Sequence, residues 1–180
     1  MGSIPEITTN RLRLRAISPG DVEDIHKYVS NPVVLRYTSW QTPGELSETR
    51  EFVRRLIDKP QGAFALVICL KENTRAIGIV EFGTRGAKGG VDYSLAAEYW
   101  NQGIMTEAVR AIIDWGFNTY PELRTVSSSA MPVNRGSTRV MEKCGMVFER
   151  RVQDKFERSD VPVVLDEYLI DREMWLRRRR

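Results

Sequence analysis

Between Glu98 and Met146 the chain carries residue types and spacings that suit the binding of a phosphate-bearing ligand. Gly103 and Thr106 fall where a loop turns into a helix, in Tyr99-Trp100-Asn101-Gln102-Gly103-Ile104-Met105-Thr106-Glu107-Ala108. A helix start leaves several backbone N–H groups without partners and carries a partial positive charge. Glycine lets a phosphate or pyrophosphate come close to those groups, so the main chain from Gln102 to Thr106 is the candidate anion site. Further along stands Asn134-Arg135-Gly136-Ser137, then Glu142-Lys143-Cys144-Gly145-Met146. Asn134 suits a helix N-cap, Ser137 the first turn and Gly145 the left-handed position after the helix.

Other catalytic chemistries have less support. His26 is the only histidine, in a helix with ordinary neighbours, and reads as structural. A serine-histidine-acid triad and the usual metal-ligand spacings are absent from the pattern, so no metal is expected. Cys69 and Cys144 read as buried thiols of a reducing compartment, with a catalytic Cys144 as the lesser alternative. Glu107 reads as a first-turn acid favourable to the helix dipole.

The elements that must position these residues follow from periodicity. Arg11 to Arg15 alternates as a half-buried strand. Ser18-Pro19-Gly20-Asp21 starts a helix through about Val29, which Asn31-Pro32 stops. Thr42-Pro43-Gly44-Glu45 repeats the start signal. A second helix then presents Leu46, Thr49, Val53, Leu56 and Ile57 and ends at Lys59-Pro60-Gln61-Gly62. Ala63 to Leu70 and Arg75 to Phe82 are strand-like, Gly83 to Gly90 reads as a glycine-rich connection, and Val91 to Leu95 is a short strand. Ile104, Ala108, Ile112 and Trp115 mark a long helix from Gly103 to Asn118. Strands are expected over Thr125 to Ala130, Met146 to Asp154 and Val163 to Ile170. The sum is an α+β fold: a mixed, mostly antiparallel sheet of about six or seven strands with helices on both faces.

Length and composition agree with an ordinary globular protein. The 180 residues point to one domain spanning 1–180, and the 42% hydrophobic content is enough to fill a core. No apolar run spans a membrane and no leader pattern opens the chain, so a cytoplasmic location is expected. A formal net charge of +3 does not mark a dedicated nucleic-acid binder. The excess sits in Arg177-Arg178-Arg179-Arg180, read as a solvated, mobile tail, with contact to an acidic partner such as ribosomal RNA as the alternative.

The words Trp100-Asn101-Gln102-Gly103-Ile104-Met105-Thr106-Glu107-Ala108 and Asn134-Arg135-Gly136-Ser137…Glu142-Lys143-Cys144-Gly145 carry a resemblance. The chain resembles GNAT-type N-acetyltransferases, in particular the Rim-type branch of ribosomal-protein N-terminal acetyltransferases, from Thr8 to Trp175. It departs from the general Gln/Arg-x-x-Gly-x-Gly/Ala pattern at Trp100 and Met105, as the Rim-like branch does. The resemblance implies acetyl-CoA as co-substrate, with its pyrophosphate on Gln102, Gly103, Ile104, Met105 and Thr106. It implies a pantetheine arm along the backbones of Tyr93, Ser94 and Leu95. Asn134 and Ser137 would face the pantetheine and the thioester sulfur, Ser137 serving the departing thiolate, and Arg139 would meet the adenosine end. Arg36, Tyr37 and Trp40 fall where such proteins bind the acceptor. Glu81 and Asp92 lead as the general base, with Tyr93 and Tyr168 behind them.

An α-amine has a pKa near 8, so about a tenth is neutral at pH 7, against well under a thousandth of a lysine side chain. An α-amine therefore needs only weak help from a base. The expected activity is direct acetyl transfer to a protein or peptide N-terminal α-amine. A small amine acceptor (polyamine, amino acid or aminoglycoside) or a non-catalytic acyl-CoA-binding module are the alternatives. A homodimer is expected.

Overall fold

The computed structural model describes residues 4–38, 40–155 and 162–179. Eight strands form one sheet: β1 (Ile7–Thr8), β2 (Leu12–Ala16), β3 (Ala63–Leu70), β4 (Gly78–Arg85), β5 (Lys88–Leu95), β6 (Thr125–Ala130), β7 (Val147–Lys155) and β8 (Pro162–Asp171). Their order is β1-β2-β3-β4-β5-β6-β8-β7. Among the described strands only β5 and β6 run parallel. The helices are α1 (Val22–Val29), α2 (Pro32–Leu35), α3 (Leu46–Ile57), α4 (Ile104–Thr119), α5 (Arg135–Lys143) and α6 (Arg172–Arg178).

Side chains alternate across a strand, and β3 shows what that does when both faces are covered. Phe64, Leu66 and Ile68 join α4 in one core, while Ala65, Val67 and Cys69 join α1 and α3 in the other. β4 divides likewise: Val80 and Phe82 face α4, and Ile79 faces α1 and α3. Ile104, Ala108, Ile112, Ile113 and Phe117 form the buried stripe of α4. Each large side chain so buried contributes roughly 1.5–3 kcal/mol. Trp115 packs edge-on against Phe64 at 5.2 Å and Phe82 at 5.8 Å.

Several local expectations shift. β4 starts at Gly78 rather than Arg75, and Gly83 to Gly90 is no connection. Gly83 ends the core half of β4, Gly89 and Gly90 open β5, and the turn is confined to Gly86 and Ala87. Glycines weaken a strand signal but do not prevent pairing when neighbours supply the ladder. Pro32 stops α1 and also starts α2, as Asn31 Oδ1 accepts the Val33 N–H. α3 is capped by Glu45, whose N–H is held by Glu48, not by Thr42. Two-residue β1 is too short for alternation to show.

The terminal arginines are no free tail. Arg177 and Arg178 form the last turn of α6, and Arg178 donates to Asp114 at 2.7 Å and to the Cys144 carbonyl. Arg179 lies over the Trp175 ring at 4.9 Å. Arg180 lies outside the described residues.

Candidate active site

The site begins with a defect in the sheet. β5 and β6 pair only at Lys88–Thr125, Gly89–Val126 and Gly90–Ser127, although β5 continues to Leu95 and β6 to Ala130. Beyond Gly90 the strands part, since β6 keeps its ladder to β8 and β5 keeps its ladder to β4. The phase of β5 is set by Ala96 N–H donating to Ile77 O at 2.9 Å. Antiparallel ladders alternate, so the main chains of Ser94 and Asp92 turn to β4, and those of Tyr93 and Leu95 turn into the gap. Two contacts agree. The Ser94 carbonyl would stand 2.7 Å from a Cβ on Gly78. The Leu95 carbonyl accepts from Trp100 Nε1 at 2.8 Å. The gap thus offers an extended arm the main chain of Tyr93 and the N–H of Leu95. Ser94 is not part of that edge: it is buried, with its hydroxyl 3.4 Å from Tyr28 Oη.

At the end of the gap stands the start of α4. Asn101 (φ 61°) and Gly103 (φ 75°) are left-handed, which glycine adopts freely and other residues seldom do. No side chain caps this helix, so the first-turn N–H groups at Ile104, Met105 and Thr106 stay available to an anion. The turn is braced from behind. Arg11 Nη1 donates to the Gln102 carbonyl at 3.0 Å and Arg11 Nε to Glu107 at 2.7 Å. Glu107 also accepts from Thr9 Oγ1 at 2.6 Å and from Arg11 N–H at 3.0 Å. Burial pushes the Glu107 carboxyl up, but the bonds from Thr9 and Arg11 outweigh it and hold it below the usual range. Glu107 thus acts as a brace, and its partners Thr9 and Arg11 lie in the turn between β1 and β2.

α5 flanks the gap on its other side. Asn134 Oδ1 accepts the Ser137 N–H at 3.2 Å, so Asn134 is a working N-cap. Tyr93 Oη donates to the Ser137 carbonyl at 3.1 Å, tying α5 to β5 across the split. Burial pushes the Tyr93 hydroxyl well up, which suits a fixed donor better than a base. Ser137 is half-buried at this junction, and Arg139 is exposed, paired with Glu142 at 3.3 Å. Tyr168 is buried on β8, edge-on to Phe148. Burial pushes the Cys144 thiol up to about 12, so it is an inert core residue.

On the opposite sheet face lies a cleft of about 340 Å³. Trp40, Phe52 and Leu56 form its apolar wall, and Glu81 lines it from β4. Trp40 packs edge-on to Phe52 at 5.0 Å. Glu81 is buried and ion-paired with Lys59, which follows α3. Its register partner on β5 is Asp92, so two carboxylates sit side by side. Burial raises the Glu81 carboxyl, Lys59 pulls it back, and Asp92 adds to the rise. Asp92 reaches solvent although protein crowds most sides of it, and burial raises it too, eased by Lys59. Arg36 and Tyr37 stack on one another at 5.3 Å and do not line this cleft. His26 Nδ1 meets Thr49 Oγ1 at 2.7 Å and joins α1 to α3.

Sequence reasoning missed the polar face of α3. Glu48, Glu51 and Arg55 line the cleft from α3 at spacings of three, four and seven residues, and Lys59 joins them just past the helix. The signal was legible beside the apolar stripe on the same helix.

The sheet splits at the one parallel junction among its described strands, and an uncapped, left-handed helix start stands at the mouth of the split. The chain belongs to the GNAT acetyltransferase family: the model described as "Acetyltransferase (GNAT) domain" matches residues 11–147. It is 24% identical over 153 residues to N-acetyltransferase p20 of Bacillus licheniformis, itself uncharacterized, covering 81% of this chain and 84% of that one. It is also similar to a GNAT-family acetyltransferase of Bacillus anthracis (TM-score 0.82, 25% identity, 94% and 99% of the two chains). The fold recurs in the Salmonella typhimurium acetyltransferase that modifies the N-terminal serine of ribosomal protein L7/L12 (TM-score 0.79, 18% identity, 93% and 99%). It recurs equally in aminoglycoside acetyltransferase AAC(6')-Ib with coenzyme A (TM-score 0.75, 18% identity, 94% and 99%). The protein is therefore an N-acetyltransferase with acetyl-CoA as co-substrate. Among the described residues no helix is long and apolar enough to cross a membrane.

Proposed function

We propose that the chain moves acetyl from acetyl-CoA directly to the α-amine of a protein or peptide N-terminus. The observation that carries this reading is the adjacency of Glu81 and Asp92 with Tyr93, the next residue on β5. One strand pair thus presents the Glu81 carboxylate to the cleft, with Asp92 beside it, and main chain to the gap. The first-turn N–H groups of α4 hold the diphosphate, and the free edge of Tyr93 and Leu95 pairs with the pantetheine amides. The amine enters from the cleft past Trp40 and Phe52. As the N–C bond forms and the C–S bond breaks, Glu81 takes the amine proton, directly or through a water on Asp92. Ser137 gives a proton to the departing thiolate, and Asn134 holds the turn that places it. Arg139 meets the adenosine end from the exposed face of α5.

An α-amine fits this machinery because it requires little of its base. A cleft of about 340 Å³ would also admit a small amine, which is the second reading. The work is done in the cytoplasm, by paired copies of the chain. The test is to incubate the protein with acetyl-CoA and a panel of N-terminal peptides, polyamines, amino acids and aminoglycosides while following thiol release. Acetylated peptides are expected. Acetylation of small amines alone overturns the acceptor assignment, and binding of acetyl-CoA without thiol release for any amine makes the chain a binding module.

A further inference from the structure

We propose that Lys59 is a positioning and selectivity residue: it fixes the Glu81 carboxylate and cancels the pull a bare carboxylate would exert on ammonium ions, so neutral amines are favoured. The proposal rests on Glu81 being the proton acceptor. Lys59 stands just past Asp58, the C-cap of α3, and is followed by Pro60, whose carbonyl accepts the Ala63 N–H at 3.0 Å as the chain turns into β3. That turn fixes where the lysine stem starts. Its ammonium spans the floor of the cleft to Glu81, with 26% of the side chain exposed against 9% for Glu81. A pair so covered is screened far less than a surface pair.

The charges around Glu81 leave Lys59 as its counter-ion. Asp92 is the neighbour on β5, and β3 contributes uncharged Ala65. Tyr28 comes from α1, its hydroxyl raised first by burial and further by Glu81. On α3, Glu48 is spent on the N–H groups of Gly44 and Glu45, at 2.6 and 3.1 Å, while Glu51 and Arg55 line the same cleft. Without Lys59, Glu81 and its strand neighbour Asp92 have no cation in contact among the described residues, which attracts ammonium ions and keeps a proton on Glu81. With it one of those two negative charges is balanced, and the pull on a cation is weaker. A lysine side chain, almost wholly charged at neutral pH, then gains little by entering, whereas an α-amine enters in its neutral fraction.

The test compares wild type, Lys59→Gln and Lys59→Arg on two peptides: one with a free α-amine, one with a blocked N-terminus and a single lysine. Losing the cation moves the acidic limb of kcat/KM for the α-amine peptide to higher pH by about one unit or more, the size an adjacent opposite charge exerts. Lys59→Arg keeps the limb near its wild-type place. The acceptor's own titration is common to all three enzymes, so the displacement reports the protein. The preference for the α-amine over the ε-amine peptide is expected to fall several-fold in Lys59→Gln. Lys59→Met gives the same readout where Lys59→Gln folds poorly. An unmoved limb in the folded Gln or Met enzyme overturns the proposal. Glu81→Gln separates the two readings: if it abolishes turnover and the limb of the Lys59→Gln enzyme has not moved, Glu81 remains the base and Lys59 is merely structural. A fully active Glu81→Gln removes both.

Discussion

Ser137 is joined to two elements at once, capped by Asn134 through its N–H and held by Tyr93 through its carbonyl. Removing only its hydroxyl leaves both bonds in place. Ser137→Ala is therefore expected to lower kcat by about 100-fold, as for loss of a positioned proton donor, with acetyl-CoA affinity by calorimetry within about two-fold of wild type. A full-rate variant means another group protonates the thiolate. Glu81 makes a prediction in pH. It accepts a proton only when ionised, and burial raises its carboxyl despite Lys59. Activity should thus fall as pH drops through a value above the ordinary carboxylate range, and Glu81→Gln should remove that limb together with most of the rate. A pH–rate profile on a low-pKa acceptor checks this, and a limb in the ordinary carboxylate range contradicts it.

At the scale of elements, α4 depends on two glycines for different reasons. Gly103 holds φ 75° at the helix start. A β-branched residue there is strained by about 1–3 kcal/mol and relieves the strain by deforming the turn. Gly103→Val is expected to weaken acetyl-CoA binding about ten-fold or more by calorimetry; unchanged affinity removes the diphosphate from this turn. Gly116 lies against Phe82, and a Cβ there would stand 2.7 Å from the ring. Gly116→Ala trades helix propensity for a clash and should cost about 1–3 kcal/mol in denaturant unfolding.

Much at this scale was readable in the residues themselves. Ile104, Ala108 and Ile112 gave α4 its face, Asn134 gave α5 its cap, and Gly145 takes φ 86° just after α5. The parting of β5 and β6 was not readable, because it arises when two strands each keep a partner on the far side. Lys59 was read as part of a helix stop, since an ion pair from the end of α3 to β4 leaves no mark on local periodicity. Arg36 and Tyr37 sit close to Trp40 in sequence but stack on each other instead of lining the cleft, a choice made in three dimensions.

For the molecule as a whole, α6 closes the core from the C-terminal end. Trp175 Nε1 and Arg178 Nη2 both donate to Asp114 Oδ1 at 2.7 Å, so one carboxylate on α4 fastens the last helix. Trp175 stacks on Phe117 at 5.1 Å beneath Arg172. Asp114→Ala leaves a buried indole N–H without a partner and is expected to cost about 1–3 kcal/mol. In a chain of this size that lowers Tm by about 2–4 °C per kcal/mol, which calorimetric scans resolve. An unchanged Tm means α6 is held by its apolar contacts alone.

The brace behind the α4 turn has a consequence for how the chain is handled. Thr9 and Arg11 reach Glu107 and the Gln102 carbonyl from outside the catalytic elements. A protease cut or an N-terminal truncation that removes them leaves Glu81, Ser137 and the cleft intact while slackening the grip on coenzyme. Trimmed preparations should therefore look like enzymes starved of acetyl donor, recovering their rate as the thioester is raised.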